Sequence, residues 1–405
     1  MKFAHLADCH IGGWRDPKLK EISTLAFLKA ADFCIEKEVD FILIAGDLFN
    51  TSLPAIDLLK KVTSKLKELH DKEIPVYIVP GSHDFSPSGK TILDVLESAG
   101  LLVNVARGSI VEERIKLKFT IDKTGAKITG MLGRKGGLEK GYYQNLIRED
   151  LEREGGYKIF LFHTMLTELK PKELEKMDSA PLSLLPKNFD YYAGGHPHFV
   201  LNKEFREYGT IAYPGPLFPN NFRELEKFGN GGFYIVEDGK INFEPIQIYN
   251  TYNIKIDCDN KTPEEIESEI LNDVKTKEFF NTIVTLRLEG TLKSGKPSSI
   301  NFKKIFNGLY EKSAYFIMKN TNKLTTKDFE EIRVGSGSVE ETENAIIKEH
   351  LGQKKIKGMG PEKEEALVKE LMHVLSAEKM EDERTADFEN RIRAELSGIL
   401  DFEVS

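Results

Sequence analysis

The stretch Phe41-Ile-Leu-Ile-Ala-Gly-Asp47 constrains this 405-residue chain more than any other. Five consecutive apolar residues, Phe41 to Ala45, predict a short strand buried on both faces, because a half-exposed strand would alternate with polar residues. Gly46 breaks the strand and leaves Asp47 at its carboxyl end. In open α/β sheets that edge is where ligands bind. A carboxylate there can bridge two metal ions, one to each oxygen. A lone Gly-Asp is more often a plain turn, so the assignment depends on what recurs elsewhere.

The same grammar recurs four times. Lys2 to Ala7 is apolar and runs into Asp8-Cys9-His10. Pro75 to Val79 runs into Pro80-Gly81-Ser82-His83-Asp84. Lys158 to Phe162 ends at His163, and Phe189 to Ala193 ends in Gly194-Gly195-His196-Pro197-His198. Five of the nine histidines therefore follow predicted strands. Each alone reads as an ordinary surface or core histidine; together they read as ligands. Alternation along an extended segment lets Asp8 and His10, or His196 and His198, point the same way. Neutral imidazoles with few carboxylates suit manganese, iron or zinc better than calcium. Two such ions suit phosphoester hydrolysis, since they generate hydroxide, hold phosphate oxygens and neutralise the leaving oxygen. His83 is the candidate acid for that oxygen, with Asp84 placed to orient its ring and raise its pKa.

Around these motifs the chain alternates. Helices are predicted over 18–38, 55–72 and 91–98 between strands, which makes βαβ units. Hairpin patterns follow, with 115–120 and 126–132 around a turn at 122–125. Strands near 210–213, 232–236 and 240–246 complete a second sheet. After Tyr249 a small α/β module begins, with a capping box at Thr262-Pro263-Glu264-Glu265. Gly335-Ser336-Gly337 reads as a flexible linker. A helix then runs from Ser338 to Gly352. Further helices place Leu367, Leu371 and Leu375, then Phe388, Ile392, Leu396 and Ile399, on single faces. The resulting division is 1–248, 249–322, a linker over 323–337, and a helical segment over 338–405.

Composition narrows the class. No apolar run approaches the roughly 18 residues of a membrane span. Charge interrupts the amino terminus too early for a secretory signal. Three scattered cysteines argue for a reducing compartment, so the cytoplasm is expected. The net charge of −8 does not suggest nucleic acid, but residues 339–405 carry 17 acidic against 10 basic side chains, which leaves 48 and 47 for the rest. A near-neutral body can still carry basic patches.

The set Asp8-x-His10, Gly46-Asp47-Leu48-Phe49, Gly81-Ser82-His83-Asp84, His163 and Gly195-His196-Pro197-His198 resembles the calcineurin-like metallophosphoesterases. Within them it is similar to the double-strand-break repair nucleases of the meiotic-recombination-eleven, or SbcD, family. The Phe-Ala-His-Leu-Ala-Asp opening, Ala-Gly-Asp-Leu-Phe and the Pro-Gly-Pro at 214–216 favour that subgroup. The resemblance implies an α/β fold: a four-layer α/β/β/α sandwich with a small α/β DNA-binding cap and a C-terminal helical segment. It implies two Mn2+ ions, one on Asp8, His10, Asp47 and His198, the other on Asp47, His163, His196 and residue 82. It also implies a DNA exonuclease and endonuclease, a homodimer, and an SMC-like ABC-type zinc-hook ATPase docked on the C-terminal helices. Two positions depart from the pattern. The family usually carries asparagine where this chain has Ser82, and some members carry histidine where it has Asn50.

Other readings stay open. A weakened site would leave a DNA-end tethering protein, and the same metal grammar serves small-substrate phosphodiesterases. Arg134-Lys135-Gly136-Gly137 through Lys140, Tyr142 and Tyr143 is either a backbone-gripping loop or an ordinary one. Ile356 to Pro361 is either a DNA-binding hairpin or an interhelical turn. The apolar face Ile56, Leu59, Val62, Leu66 and Leu69, with the 91–98 helix, is either core or dimer interface. His5 and His70 read as structural and Trp14 as a loop anchor. A serine hydroxyl is a weaker ligand than an amide carbonyl, so an unusually high manganese requirement is expected. Titrating activity against manganese should give a lower midpoint for Ser82→Asn than for the wild type; equal midpoints would refute the idea.

Overall fold

The chain begins with β1 (Lys2–Leu6), α1 (Pro17–Glu36), β2 (Phe41–Ala45), α2 (Ile56–Asp71), β3 (Val76–Val79), α3 (Ile92–Ser98) and β4 (Val103–Asn104). The four strands are parallel neighbours in that order. All five residues of β2 are buried, and alternation explains why both faces had to be apolar. Ile42 and Ile44 pack under α1 and α2, while Phe41 and Leu43 face a second sheet. Asp16 starts α1 by accepting the Lys18 N–H at 2.9 Å, and Pro17 follows it. The computed structural model describes residues 1–84, 86, 91–134, 139–326, 361–377 and 385–400. They fall into two units, Met1–Lys327 and Asp328–Ser405.

β5 (Gly108–Val111) and β6 (Arg114–Leu117) form a separate hairpin. β7 (Thr120–Ile121) and β8 (Lys127–Met131) pair around the turn at 122–125. The single 115–120 strand expected from sequence is thus two strands with different partners. After α4 (Glu139–Gln144) and α5 (Glu149–Arg153) come β9 (Lys158–His163), β10 (Tyr191–Gly195), β11 (Leu201–Phe205) and β12 (Gly209–Tyr213). The second sheet has the order β11-β12-β10-β9-β8-β7. Its outer face, with Phe160, Phe162, Tyr192 and Tyr213, is covered by Tyr143, Leu146 and Leu151 around α4 and α5. The result is the four-layer α/β/β/α sandwich.

A sheet assignment is corrected. α6 (Phe222–Phe228) carries the chain back to the first sheet, where β13 (Gly231–Glu237) lies antiparallel to β1 and β14 (Lys240–Ile246) forms the edge. These two strands had been expected in the second sheet. Phe233 and Ile235 join the core under α1, and Tyr234 and Val236 join the inter-sheet core. β13 therefore covers the open edge of β1 with an apolar residue on each face.

The small module contains β15 (Asn250–Asp257), α7 (Pro263–Asp273), β16 (Thr282–Leu292), α8 (Phe302–Glu311) and β17 (Ala314–Thr326), with three parallel strands in that order. Its own core centres on Ile256, Ile270, Leu286 and Ile305. The Thr262–Glu265 box forms reciprocally, at 3.3 and 2.8 Å. β17 extends four residues into the stretch read as linker, so the 322/323 boundary is displaced. Tyr249, Ile283, Tyr315 and Phe316 pack on the core under α1, and the module belongs to the first unit.

The second unit shows α9 (Pro361–Leu375) and α10 (Thr385–Leu400). On α9, Val374 is buried and Leu375 is 65% exposed, so the inward stripe is Leu367, Leu371 and Val374 rather than one ending at Leu375. The linker around 335–337, the 338–352 helix and most of the 356–361 stretch lie outside the described residues. No helix among the described residues is long and apolar enough to cross a membrane.

The two sheets approach closely at Gly130, where an added Cβ would lie 2.5 Å from the Leu161 carbonyl oxygen and 2.7 Å from Val79 of the facing sheet. At Gly155 an added Cβ meets nothing within 4 Å. Gly130→Ala should destabilise the fold by about 1–3 kcal/mol, and Gly155→Ala by less than about 0.5 kcal/mol. Urea midpoints at constant slope measure both.

Candidate metal centre

The site lies where the carboxyl ends of β1, β2, β3, β9 and β10 meet. Immediately after three of these strands the backbone turns through the left-handed region: φ is 49° at Asp8, 41° at His10, 53° at Asp47 and 95° at His196. Such values are uncommon outside glycine and gather at functional sites. The first two loops are zipped together, with Asp8 N–H on the Gly46 carbonyl at 3.2 Å and His10 N–H on the Asp47 carbonyl at 2.9 Å. Two glycines permit the approach. A Cβ on Gly46 would sit 2.2 Å from His163 Nδ1, and one on Gly195 would sit 2.0 Å from the Ala45 carbonyl oxygen.

Asp47 is the hub. Its Oδ2 lies 3.3 Å from His163 Nε2 and 3.6 Å from His10 Nε2, and accepts the Ser82 hydroxyl at 3.3 Å. Its Oδ1 accepts the His83 backbone N–H at 2.7 Å. Asp8 accepts the His196 N–H at 3.0 and 3.1 Å and faces His198 Nε2 at 3.8 Å. His163 donates Nδ1–H to the Ala45 carbonyl at 2.8 Å, which turns Nε2 inward. His198 donates Nδ1–H to Glu224 at 2.8 Å, which does the same. Among the described residues, three groups bring one ligand atom from each residue within 4.8 Å of the others: Asp8, His10 and His198; His10, Asp47 and His83; Asp8, Asp47 and His163. His196 joins none of these groups, although its ring centre is 5.1 Å from that of His163.

The donor set fits divalent transition-metal ions. His163 Nε2 is buried against Asp47 Oδ2 at 3.3 Å without a well-formed hydrogen bond, a costly state for a polar atom. Two nitrogens at right angles on an ion about 2.1 Å away lie about 3 Å apart, and His10 Nε2 and His198 Nε2 are 3.1 Å apart. Without an ion, protons take its place. Burial opposes a charge on His163, but Asp47 overrides it and the pKa rises to about 10. At His198, burial is likewise overridden by the hydrogen bond to Glu224 and the charge of Asp8, which raises it to about 9. Burial depresses His10 and His196 to about 3. Burial would raise Asp47, yet the adjoining His163 holds it well below the usual carboxylate range.

Asp84 does not orient His83. Its carboxylate accepts the N–H groups of Gly81, Leu48 and Phe49 at 3.0, 3.3 and 3.3 Å, and so clamps the β3 loop to the β2 loop. His83 is held instead by its Nδ1–H on the Asn50 carbonyl at 2.8 Å. Burial and the nearby Asp47 raise Asp84 to about 7. The sequence reading missed Glu224, whose only local signal is its place three residues after the helix-capping Asn221. It also missed Arg223 and Lys227, which line a cavity of about 380 Å³ beside the histidines, with Leu174 and Met177 on its wall.

The secondary signals divide. Tyr143 is fully buried and belongs to the core. Arg134 stacks over Tyr142 at 5.2 Å, and residues 135–138 lie outside the described part. Trp14 does anchor its loop, through Nε1–H on the Pro219 carbonyl at 3.0 Å. His5 is buried and bonded to the Tyr191 hydroxyl at 2.9 Å, and His70 is exposed beside Asp71. Val62, Leu66 and Leu69 are core, whereas Ile56 is 85% exposed, as are Leu53 at 77% and Val95 at 60%.

The sequence profile of the calcineurin-like phosphoesterases matches residues 1–199. The DNA double-strand break repair protein Mre11 of Archaeoglobus fulgidus is 30% identical over 297 residues, 67% of this chain and 64% of that protein. The chain thus spans a little under two thirds of that relative. The protein of the same description from Methanococcus maripaludis is 27% identical over 372 residues, 86% of this chain and 91% of that protein. The uncharacterized metallophosphoesterase YhaO of Bacillus subtilis is 26% identical over 264 residues, 60% of this chain and 59% of that protein.

Since metal ligands must be deprotonated, manganese uptake at pH 7 should release the protons held on His163 and His198. Calorimetry in buffers of different ionisation enthalpy measures this, and His163→Asn should release fewer. Affinity should fall as the pH is lowered. The stabilising effect of the raised His163 pKa is complete below the ordinary value of 6.5 and is lost as pH rises toward about 10. The metal-free protein should therefore lose unfolding free energy across that window.

Proposed function

We propose that the chain, whose residues 1–199 match the calcineurin-like phosphoesterases and whose likenesses lie among Mre11-type proteins, is a manganese-dependent DNA exonuclease and endonuclease. The observation that carries the reading is the convergence of ligand atoms from three other strand-end loops on Asp47, beside an open cavity flanked by Arg223 and Lys227. Asp8, His10, Asp47 and His198 would hold one ion, and Asp47, Ser82, His163 and His196 the other. When bound, such ions supply an activated water and neutralise charge on the phosphate.

The chain's own residues do the remaining work. Arg223 and Lys227 attract the phosphodiester backbone and orient it toward the histidines. His83 has Nδ1–H committed to the Asn50 carbonyl, so Nε2 is the atom that carries a proton for the departing oxygen. Asp84 keeps His83 and Asp47 in register through the backbone it clamps. The names of the archaeal relatives support double-strand-break repair as the setting; the place and partner proposed with it are the cytoplasm and a zinc-hook ATPase on the C-terminal helices. The exposed Leu53, Ile56 and Val95 support a homodimer through that face.

With manganese and duplex DNA, Asp47→Ala should abolish cleavage, and His83→Ala should slow it by about 10²–10⁴-fold while leaving DNA binding intact. Retained cleavage in both variants would refute the nuclease assignment. Faster turnover of bis-phenyl phosphate than of DNA would indicate a small-substrate phosphodiesterase instead.

A further inference from the structure

α6 touches the metal centre on one side and the small module on the other. Its residues 224 and 226 lie about 200° apart around the helix axis. Glu224 holds His198, and its carboxylate also accepts from the Asn220 N–H at 2.8 Å and the Asn221 side chain. Glu226 faces away, toward β16. There Arg287 grips it through Nε at 2.8 and 3.0 Å and through Nη2 at 2.5 Å. Both side chains are largely buried, at 16% and 19% exposure. Such a planar, two-pronged pair fixes direction as well as distance.

The grip is reinforced along the helix. The Arg287 guanidinium lies over the Phe222 ring at 5.1 Å. Asn253 donates to the Glu226 carbonyl at 3.1 Å, and Thr251 donates to the Gly229 carbonyl at 2.9 Å. Arg287 also bonds Glu289 at 3.3 Å, and Glu289 is paired with Lys255 and Lys323 from the two flanking strands. All three strands of the module therefore bear on a helix of seven residues that presents a ligand-holding carboxylate on its other side.

We propose that α6 is a relay in which Arg287 and Glu226 act as positioning residues for His198. A shift of the three-stranded sheet turns α6, displaces Glu224 and reorients the imidazole it holds. Metal occupancy thereby depends on how the module is seated, and whatever loads the module acts on the centre without touching it. This rests on the reading of His198 as a metal ligand.

The test is manganese alone titrated into the metal-free full chain and followed by calorimetry, with thermal unfolding in parallel. Loss of a direct outer-shell partner costs about 10–100-fold in metal affinity, so the more remote Arg287→Ala and Glu226→Gln should each cost roughly three- to tenfold. Lys304→Ala, on α8 of the same module, should match the wild type. Excess manganese should restore turnover in both variants with KM for DNA unchanged. Glu226→Gln keeps the side-chain shape and decides the matter if Arg287→Ala does not fold. Wild-type isotherms in these variants, with KM raised, would overturn the relay and leave the pair as a tether. A wild-type chain that takes up no manganese would overturn the metal-centre reading itself.

Discussion

Everything in the site is arranged around the buried carboxylate of Asp47. It sits between two imidazoles, a serine hydroxyl and a backbone amide contributed by three other segments. A buried carboxylate is tolerable only with such partners. It is presented there because β2 stops at Gly46 and the next residue turns back over the sheet edge with φ at 53°. The same requirement sets the spacing of the two sheets, since His163 comes from the second sheet and must reach a residue of the first. Gly46 and Gly195, like Gly130, are positions where any side chain would push the sheets apart.

Much of this was legible locally. A run of five apolar residues followed by Gly-Asp specifies a buried strand and the polar group at its end without knowledge of any partner. The same holds for His163 and for His196 with His198. What was hidden depended on pairings across long separations. Nothing near β13 tells which sheet it joins; the open edge of β1, more than 200 residues earlier, decides that. Asp84 was assigned to its sequence neighbour His83, but a residue beside another in a tight turn commonly points elsewhere, and three amides had the better claim on its carboxylate. Glu224 was invisible because a glutamate in the first turn of a helix already has a sufficient local explanation as a cap.

α6 illustrates how topology creates coupling. It spans the gap between β12 of one sheet and β13 of the other, so its ends are tethered to both halves of the sandwich. A short helix held that way has few degrees of freedom left. Its two glutamates, separated by one residue, consequently report to different neighbours, and the fold cannot move one without the other.

The charges of the centre suit a cation. Two aspartates at its heart are balanced by protons on His163 and His198, each held well above the ordinary imidazole value by an adjoining carboxylate. Exchanging two such protons for two divalent ions would raise the local charge by about two, which would favour a phosphodiester. The Ser82 hydroxyl works in the opposite direction. By donating to Asp47 Oδ2 it engages a lone pair that an ion would need. The hydroxyl and an ion would therefore compete for the same oxygen.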